Sequence, residues 1–222
     1  MGETGFHVKA NLHLFGALRN FFRNHDDIYV AADMFFYYKE NKPKANKAPD
    51  VMVIKGVPNY ERRTFKLWEE KAGPCVIFEV TSKSTMLEDM VTKRDLYAKL
   101  GVREYFLFDP FAEYLDTFLI GLRLNQKGYE KIFSDEKNRL FSKELNLFLI
   151  PENDILRIID ANTKKPIPSL EETWIWAQRE SERADKESKR ADKEAQKAKR
   201  EAERANKLAE KLKKLGIDPT LD

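Results

Sequence analysis

The sequence predicts a mixed α/β domain, a central sheet flanked by helices, extended by one long C-terminal helix. Three observations carry this. The segments 51–54, 75–80 and 105–108 are short, densely apolar and rich in Val, Ile and Phe, the pattern of strands buried on both faces. Between the second and third lies a stretch with helical apolar spacing, which makes a strand, crossover helix, strand unit. From Ser169 onward the aromatic residues stop at Trp176, no proline appears until Pro219, and a seven-residue repeat runs unbroken. A chain of 222 residues with 42% hydrophobic content can bury one good-sized core and carry an extension.

Taken in order, Leu12, Leu14, Phe15, Leu18, Phe21 and Phe22 recur at three-to-four spacing, so residues 5–24 form an amphipathic helix that packs on a sheet. Asp26-Asp27 ends it. Residues 28–38, rich in β-branched and aromatic side chains, suit one long strand, and residues 39–47 a polar, basic turn. After the strand at 75–80, Met86, Met90, Leu96, Tyr97 and Leu100 mark a helix over 85–100, closed by Gly101. Beyond Pro110, strand-like pieces at 114–120, 122–133 and 155–159, with turn signals at Gly121, Lys127-Gly128 and Pro151, predict hairpins that finish a domain spanning 1–168.

Residues 169–215 form the second part. With Trp174, Ser181, Ser188, Ala195, Ala202 and Ala209 at one seam position, Ala177, Ala184, Ala191, Ala198, Ala205 and Leu212 occupy the other. Small seam residues with charged residues elsewhere describe a thin-seamed coiled coil or a solvated single helix, on the order of 60 Å long. The expected partner is a second copy, giving a homodimer or higher homo-oligomer through 169–215, although alanine knobs bury little area. Residues 216–222 form a short tail.

Composition narrows the function classes. Forty Lys and Arg against 37 Asp and Glu leave a formal charge of +3, too little to advertise nucleic-acid binding by bulk charge, so any DNA contact comes from local patches. Cys75 is the only cysteine and sits in an apolar run, which rules out an intrachain disulfide and fits a reducing cytoplasm. No basic-then-apolar leader pattern opens the sequence and no stretch approaches a membrane span, so the chain is read as soluble and cytoplasmic.

The chemistry concentrates in Pro49-Asp50-Val51-Met52-Val53-Ile54 and Val76-Ile77-Phe78-Glu79-Val80-Thr81-Ser82. Each places a carboxylate beside an apolar strand, which is expensive without a compensating cation. Two such carboxylates invite Mg²⁺ or Mn²⁺, hard ions that prefer oxygen, while the lack of a Cys/His cluster argues against zinc. Lys83, four residues after Glu79, and Lys93, on the following helix after Glu88-Asp89, are the two lysines in reach. In phosphodiester hydrolysis a metal neutralises phosphate charge and lowers the pKa of a bound water, and a nearby ammonium assists. Residue chemistry alone balances this against an Asp50 turn cap and an ordinary ion pair from Glu79 to Lys83 or Lys93. Asp89 is either a partner of Lys93 on one helix face or a helix-stabilising residue. His7, His13 and His25 read as packing or surface residues, with His7 able to approach the site if the N-terminal end of its helix faces it. Residues 60–68 mix bases with aromatics and read as a packed loop ahead of a phosphate grip.

The run Ala48-Pro49-Asp50-Val51, then Phe78-Glu79-Val80-Thr81-Ser82-Lys83-Ser84-Thr85, Asp89, Lys93, Leu96-Tyr97, Gly101-Val102-Arg103-Glu104-Tyr105 and Phe108-Asp109-Pro110 resembles the Uma2 family of restriction endonucleases. The resemblance covers roughly residues 4–133, and the heptad-bearing tail ending in Leu212-Lys213-Lys214-Leu215-Gly216-Ile217-Asp218-Pro219 resembles tails of some members. It implies a PD-(D/E)XK nuclease fold, a mixed four-stranded sheet flanked by helices, with a divalent metal at the sheet edge. It implies that Asp50 and Glu79 are metal ligands, with the Val80 carbonyl as a further one. Thr81 stands where the superfamily pattern has lysine, and a lysine on the following helix substitutes: Lys93 is preferred, with Lys83 its rival. Asp33 resembles an acidic position of the family that orients water or adds a ligand; its plain reading is a solvated strand residue. The function so implied is a Mg²⁺-dependent endonuclease acting on DNA, and the alternative is a catalytically weak nuclease-like binding module that recruits a partner through its coiled coil.

Overall fold

The structure is a computed structural model describing residues 4–215; the tail at 216–222 lies outside the described residues. Residues through Glu172 make one compact unit and those from Thr173 a second. The first unit begins with helix α1 (Gly5–Phe21), whose Thr4 hydroxyl caps the His7 N–H at 3.3 Å. Its sheet is built from β1 (Ile28–Ala32), β4 (Val51–Lys55), β6 (Pro74–Val80), β7 (Glu104–Phe108), β8 (Leu119–Asn125) and β9 (Gly128–Ile132), side by side in that order. Only β6 and β7 run parallel; the other neighbours are antiparallel, so the sheet is mixed. That one parallel pair needs a crossover, supplied by a π-helical turn (Glu88–Lys93) running into α3 (Arg94–Lys99). Gly101, at φ +79°, closes it in the left-handed conformation glycine tolerates best.

The central strands alternate between two cores. Val76, Phe78 and Val80 of β6 face Leu14 and Leu18 of α1, while Ile77 joins Tyr97 of α3 and Tyr105 of β7 on the opposite face. Being buried on both faces is what the near-continuous apolar composition of β6 and β7 encodes. Two small sheets flank this one: β2 (Phe36–Tyr37) lies between β3 (Asn46–Lys47) and β5 (Phe65–Lys66), which leads into α2 (Leu67–Glu70), and β10 (Leu140–Ser142), β11 (Leu147–Glu152) and β12 (Ile155–Asp160) form a meander.

The architecture agrees with the mixed α/β expectation, and the sheet is six strands wide where the resemblance implied four. Several local expectations differ. Residues 114–118, read as strand, are bends, and β8 begins only at Leu119, while the turn at 39–47 ends in the short strand β3. The strand over 28–38 breaks at Asp33, whose φ of +47° turns the chain so that β1 and β2 join different sheets. Gly121 is no turn but lies inside β8, where a Cβ would come within 2.9 Å of both Phe106 and Leu140. Pro151 likewise lies within β11, beyond the reach of the short β10, and the turn falls two residues later at Asn153 with φ +54°.

Helix α4 (Leu170–Lys214) starts with a capping box: the Ser169 hydroxyl accepts the Glu172 N–H at 3.2 Å and the Glu172 carboxylate accepts the Ser169 N–H at 2.9 Å. From residue 177 to 208 every side chain of α4 is exposed. Among the described residues no helix is long and apolar enough to cross a membrane.

Candidate active site

Because β4 and β6 are antiparallel with Val51 opposite Phe78, the start of one strand meets the end of the other. This register brings Asp50 and Glu79, 29 residues apart in sequence, into reciprocal contact. The Asp50 N–H donates to Glu79 Oε2 at 3.3 Å, and the Val80 N–H donates to Asp50 Oδ2 at 2.6 Å. Glu79 follows the alternation of β6 onto the α3 face, where it is 1% exposed and Tyr97 donates its hydroxyl to Oε1 at 2.9 Å.

The crossover completes the cluster. Asp89 and Lys93 sit four apart in the π-helical turn, both buried, and Lys93 Nζ lies 2.8 Å from Asp89 Oδ1 and 3.0 Å from Glu79 Oε2. Single π-helical turns recur at functional sites because the added residue re-aims side chains. Tyr105 pins the turn by donating its hydroxyl to the Asp89 carbonyl at 3.1 Å. Of the two candidate lysines, then, Lys93 is brought to the acids; Lys83 is exposed and makes no ion pair among the described residues.

The electrostatics follow from burial. Two carboxylates, Glu79 and Asp89, share one ammonium, and Asp50 adds its negative charge beside them. Burial pushes Glu79 up to about 8, with Lys93 opposing and Asp50 and Asp89 reinforcing the shift. Asp89 is raised for the same first reason, despite Lys93. Burial alone would lower the Lys93 ammonium, but Glu79 and Asp89 outweigh it and hold it above the usual lysine range.

His7, weighed lightly in the sequence, is at the site. Its Nε2 lies 2.8 Å from the Val80 carbonyl and 3.5 Å from Asp50 Oδ2. A carbonyl can only accept, so Nε2 carries the hydrogen. The approach is set by α1 lying across β6, a packing that no local pattern announces across a separation of 73 positions. Asp33 reaches the site through its backbone: its N–H donates to the Pro49 and Asp50 carbonyls at 3.0 and 3.2 Å, while its side chain is exposed. Thr81 is buried, its N–H donates to the Phe108 carbonyl at 2.7 Å, and its hydroxyl oxygen has no hydrogen-bond partner among the described residues. A cavity of about 390 Å³ opens beside it, lined by His7, Val80, Thr81, Asp109, Phe111 and Tyr114 among others. Asp109 is occupied structurally, accepting the N–H groups of Phe111, Tyr114 and Leu115 at 2.7 to 3.2 Å.

Among the described residues no three His, Cys, Asp or Glu side chains converge into a ready-made ligand group. A metal here would draw on two carboxylates and a main-chain carbonyl. Open acceptor positions exist for that. Among the described residues Asp50 Oδ1 holds no hydrogen bond, Glu79 receives three donors on a group with about four lone-pair sites, and the Val80 carbonyl, which has two lone pairs, receives His7.

The sequence model of the Uma2 family, described as "Putative restriction endonuclease", matches residues 1–147. Among solved structures, the chain resembles that of a putative nuclease belonging to DUF820 from Anabaena variabilis, at 14% identity and a TM-score of 0.50, over 65% of this chain and 76% of that one. At that identity the likeness speaks to the fold. No protein of curated function matches the chain.

Proposed function

The chain belongs to the Uma2 family, a family of nuclease type, and from that premise we propose that its first unit is a Mg²⁺- or Mn²⁺-dependent endonuclease hydrolysing the phosphodiester bonds of DNA. The observation that carries this reading is the joining of Asp50, Glu79 and Lys93 at the meeting ends of β4 and β6.

Asp50, Glu79 and the Val80 carbonyl are the groups that would hold the cation. Their hard oxygens, and the surplus of buried carboxylate over ammonium, suit a divalent ion that keeps several of its waters. When bound, such an ion supplies charge neutralisation on the phosphate and a water of lowered pKa. The remaining work falls to the protein. The Val80 N–H fixes Asp50 Oδ2, leaving Oδ1 directed elsewhere. Tyr97 and Lys93 hold both oxygens of Glu79 in one orientation, and His7 orients the Val80 carbonyl. Lys93, kept protonated by two carboxylates, takes the place of the lysine absent at Thr81 and stabilises charge developing on the phosphate. Asp33 acts through its backbone, bracing the turn that presents Asp50.

Asp50→Asn and Glu79→Gln, each with the folded circular-dichroism signature of the parent, are expected to abolish Mg²⁺-dependent cleavage of plasmid and single-stranded DNA. Cleavage that persists in both refutes the reading. Thr81 favours a second reading, a nuclease-like module that binds without cutting. Calorimetry separates the two: retained DNA association with no Mg²⁺ or Mn²⁺ uptake supports the module.

A further inference from the structure

Helix α4 carries a pattern that neither the nuclease site nor a paired seam uses. With Trp174 and Ala177 at heptad positions a and d, all eleven c and f positions from Arg179 to Lys214 are Lys or Arg. They succeed one another at alternating steps of four and three residues, from Arg179 to Arg183, Lys186, Arg190 and onward to Lys211 and Lys214. Eleven of the fourteen Lys and Arg between 177 and 215 fall on this one ladder, so the placement is not a by-product of composition. At 1.5 Å per residue it is about 50 Å long, with a cation roughly every 5 Å.

Like charges three and four residues apart destabilise a helix. The relief is one-sided. On the c column, Arg190 pairs with Glu194 at 3.1 Å and Lys197 with Glu201 at 3.9 Å. The f column, running from Arg179 to Lys214, makes no ion pair among the described residues, and the c and f side chains of α4 are exposed. The acidic residues lie mostly elsewhere. Glu180, Glu187, Glu194 and Glu201 fill four successive g positions, and Asp185 and Asp192 lie at e. In a parallel self-paired coil, Glu180 and Glu187 would face Asp185 and Asp192 of the other strand, two like-charge contacts against the single attractive one of Glu194 with Lys199, so charge at the seam edges favours pairing little.

We propose that the ladder from Arg179 to Lys214 binds the phosphate backbone of duplex nucleic acid, without reading its sequence. The charge is complementary: B-form DNA carries about one phosphate per 3.4 Å along each strand, and a protein that neutralises phosphates gains by releasing condensed counterions. A membrane surface fits less well, because a helix lying in a bilayer interface buries an apolar face, and from residue 177 to 207 α4 offers no apolar side chain larger than alanine. A protein partner fits less well for a related reason, since interface cores are depleted of charge and anchored by aromatic or large aliphatic side chains. The ladder is a binding surface separate from the proposed active site and stands whether or not that site cuts.

The test uses the full chain in EDTA, so that binding is read apart from metal-dependent cleavage. Fluorescence anisotropy with labelled 30-base-pair DNA and RNA duplexes is measured from 50 to 300 mM salt. A variant with all six f residues changed to Gln (Arg179, Lys186, Lys193, Arg200, Lys207 and Lys214) keeps helix propensity, which circular dichroism checks. It is expected to bind at least ~100-fold more weakly at 100 mM salt and to lose roughly three to five from the log–log salt slope, since each phosphate contact contributes about 0.9. A second variant, with Glu180, Glu187, Glu194 and Glu201 changed to Gln, is expected to bind several-fold more tightly. The proposal is overturned if the six-Gln variant binds with unchanged affinity and slope, if the four-Gln variant does not gain, or if the parent binds phosphatidylserine vesicles in preference to either duplex.

Discussion

Replacing Lys93 by Met keeps the length of the side chain and removes its charge from between two carboxylates, each about 1% exposed as a residue. Removing one member of a buried ion pair typically costs about 3–5 kcal/mol, because the other member stays buried and uncompensated. Here two partners are left, and the Lys93 side chain is itself only 11% exposed, so solvent screening relieves little. Part of the loss is recovered by protonation, since Glu79 already sits at about 8 with Lys93 in place and rises further without it. Urea unfolding of the metal-free protein at pH 8, followed by tryptophan fluorescence, should therefore show Lys93→Met less stable by about 3–5 kcal/mol, with a smaller deficit at pH 6. The control is Lys83→Met, which removes an exposed ammonium that makes no ion pair among the described residues and should stay within about 0.5 kcal/mol of the parent. Adding Glu79→Gln to Lys93→Met removes one stranded charge and should restore part of the stability without restoring cleavage. Equal stability of Lys93→Met and Lys83→Met would refute the placement of Lys93 between the acids.

Glu79 rises from an ordinary 4.5 to about 8 on folding, so its contribution to stability is full below about pH 4.5 and is lost as the pH climbs through 8. In EDTA the urea midpoint should accordingly fall between pH 5 and 8, Glu79→Gln should flatten that fall, and millimolar Mg²⁺ should reverse it at pH 8. Thr81→Val replaces a buried hydroxyl that has no partner among the described residues by a methyl of similar size, and is expected to be neutral or to stabilise by about 1 kcal/mol in the same unfolding assay, leaving cleavage unchanged. Gly121→Ala forces a Cβ to within 2.9 Å of Phe106 and Leu140 and should cost about 1–3 kcal/mol by overpacking, seen as a lowered thermal midpoint with the far-ultraviolet spectrum retained.

The acidic pair and the core strands were legible because each depends on neighbours in sequence: a carboxylate beside a dense apolar run stands out wherever the run goes. The helix at 85–100 was legible in the same way, and so was the step of four from Asp89 to Lys93. What that step could not reveal is that Lys93 also reaches Glu79, which depends on the crossover packing over β6. The break at Asp33 was hidden because residues 28–38 are apolar and β-branched throughout, and only competing sheets on either side decide where such a run bends. Gly121 and Pro151 carried true local turn propensities that tertiary contacts overrode.

By itself, then, the sequence determined the alternation of apolar segments, the two carboxylates, the heptad and its cationic ladder, all properties of residues within a few positions of one another. The tertiary structure alone decided which groups share a pocket. His7 meets Val80 from α1, Lys93 rather than Lys83 meets Glu79 from the crossover, and the Asp33 N–H reaches the Asp50 carbonyl. Those choices rest on register and on helix-to-sheet packing, long-range contacts whose energy is spread over many buried side chains and so leaves no local signature at the residues it positions.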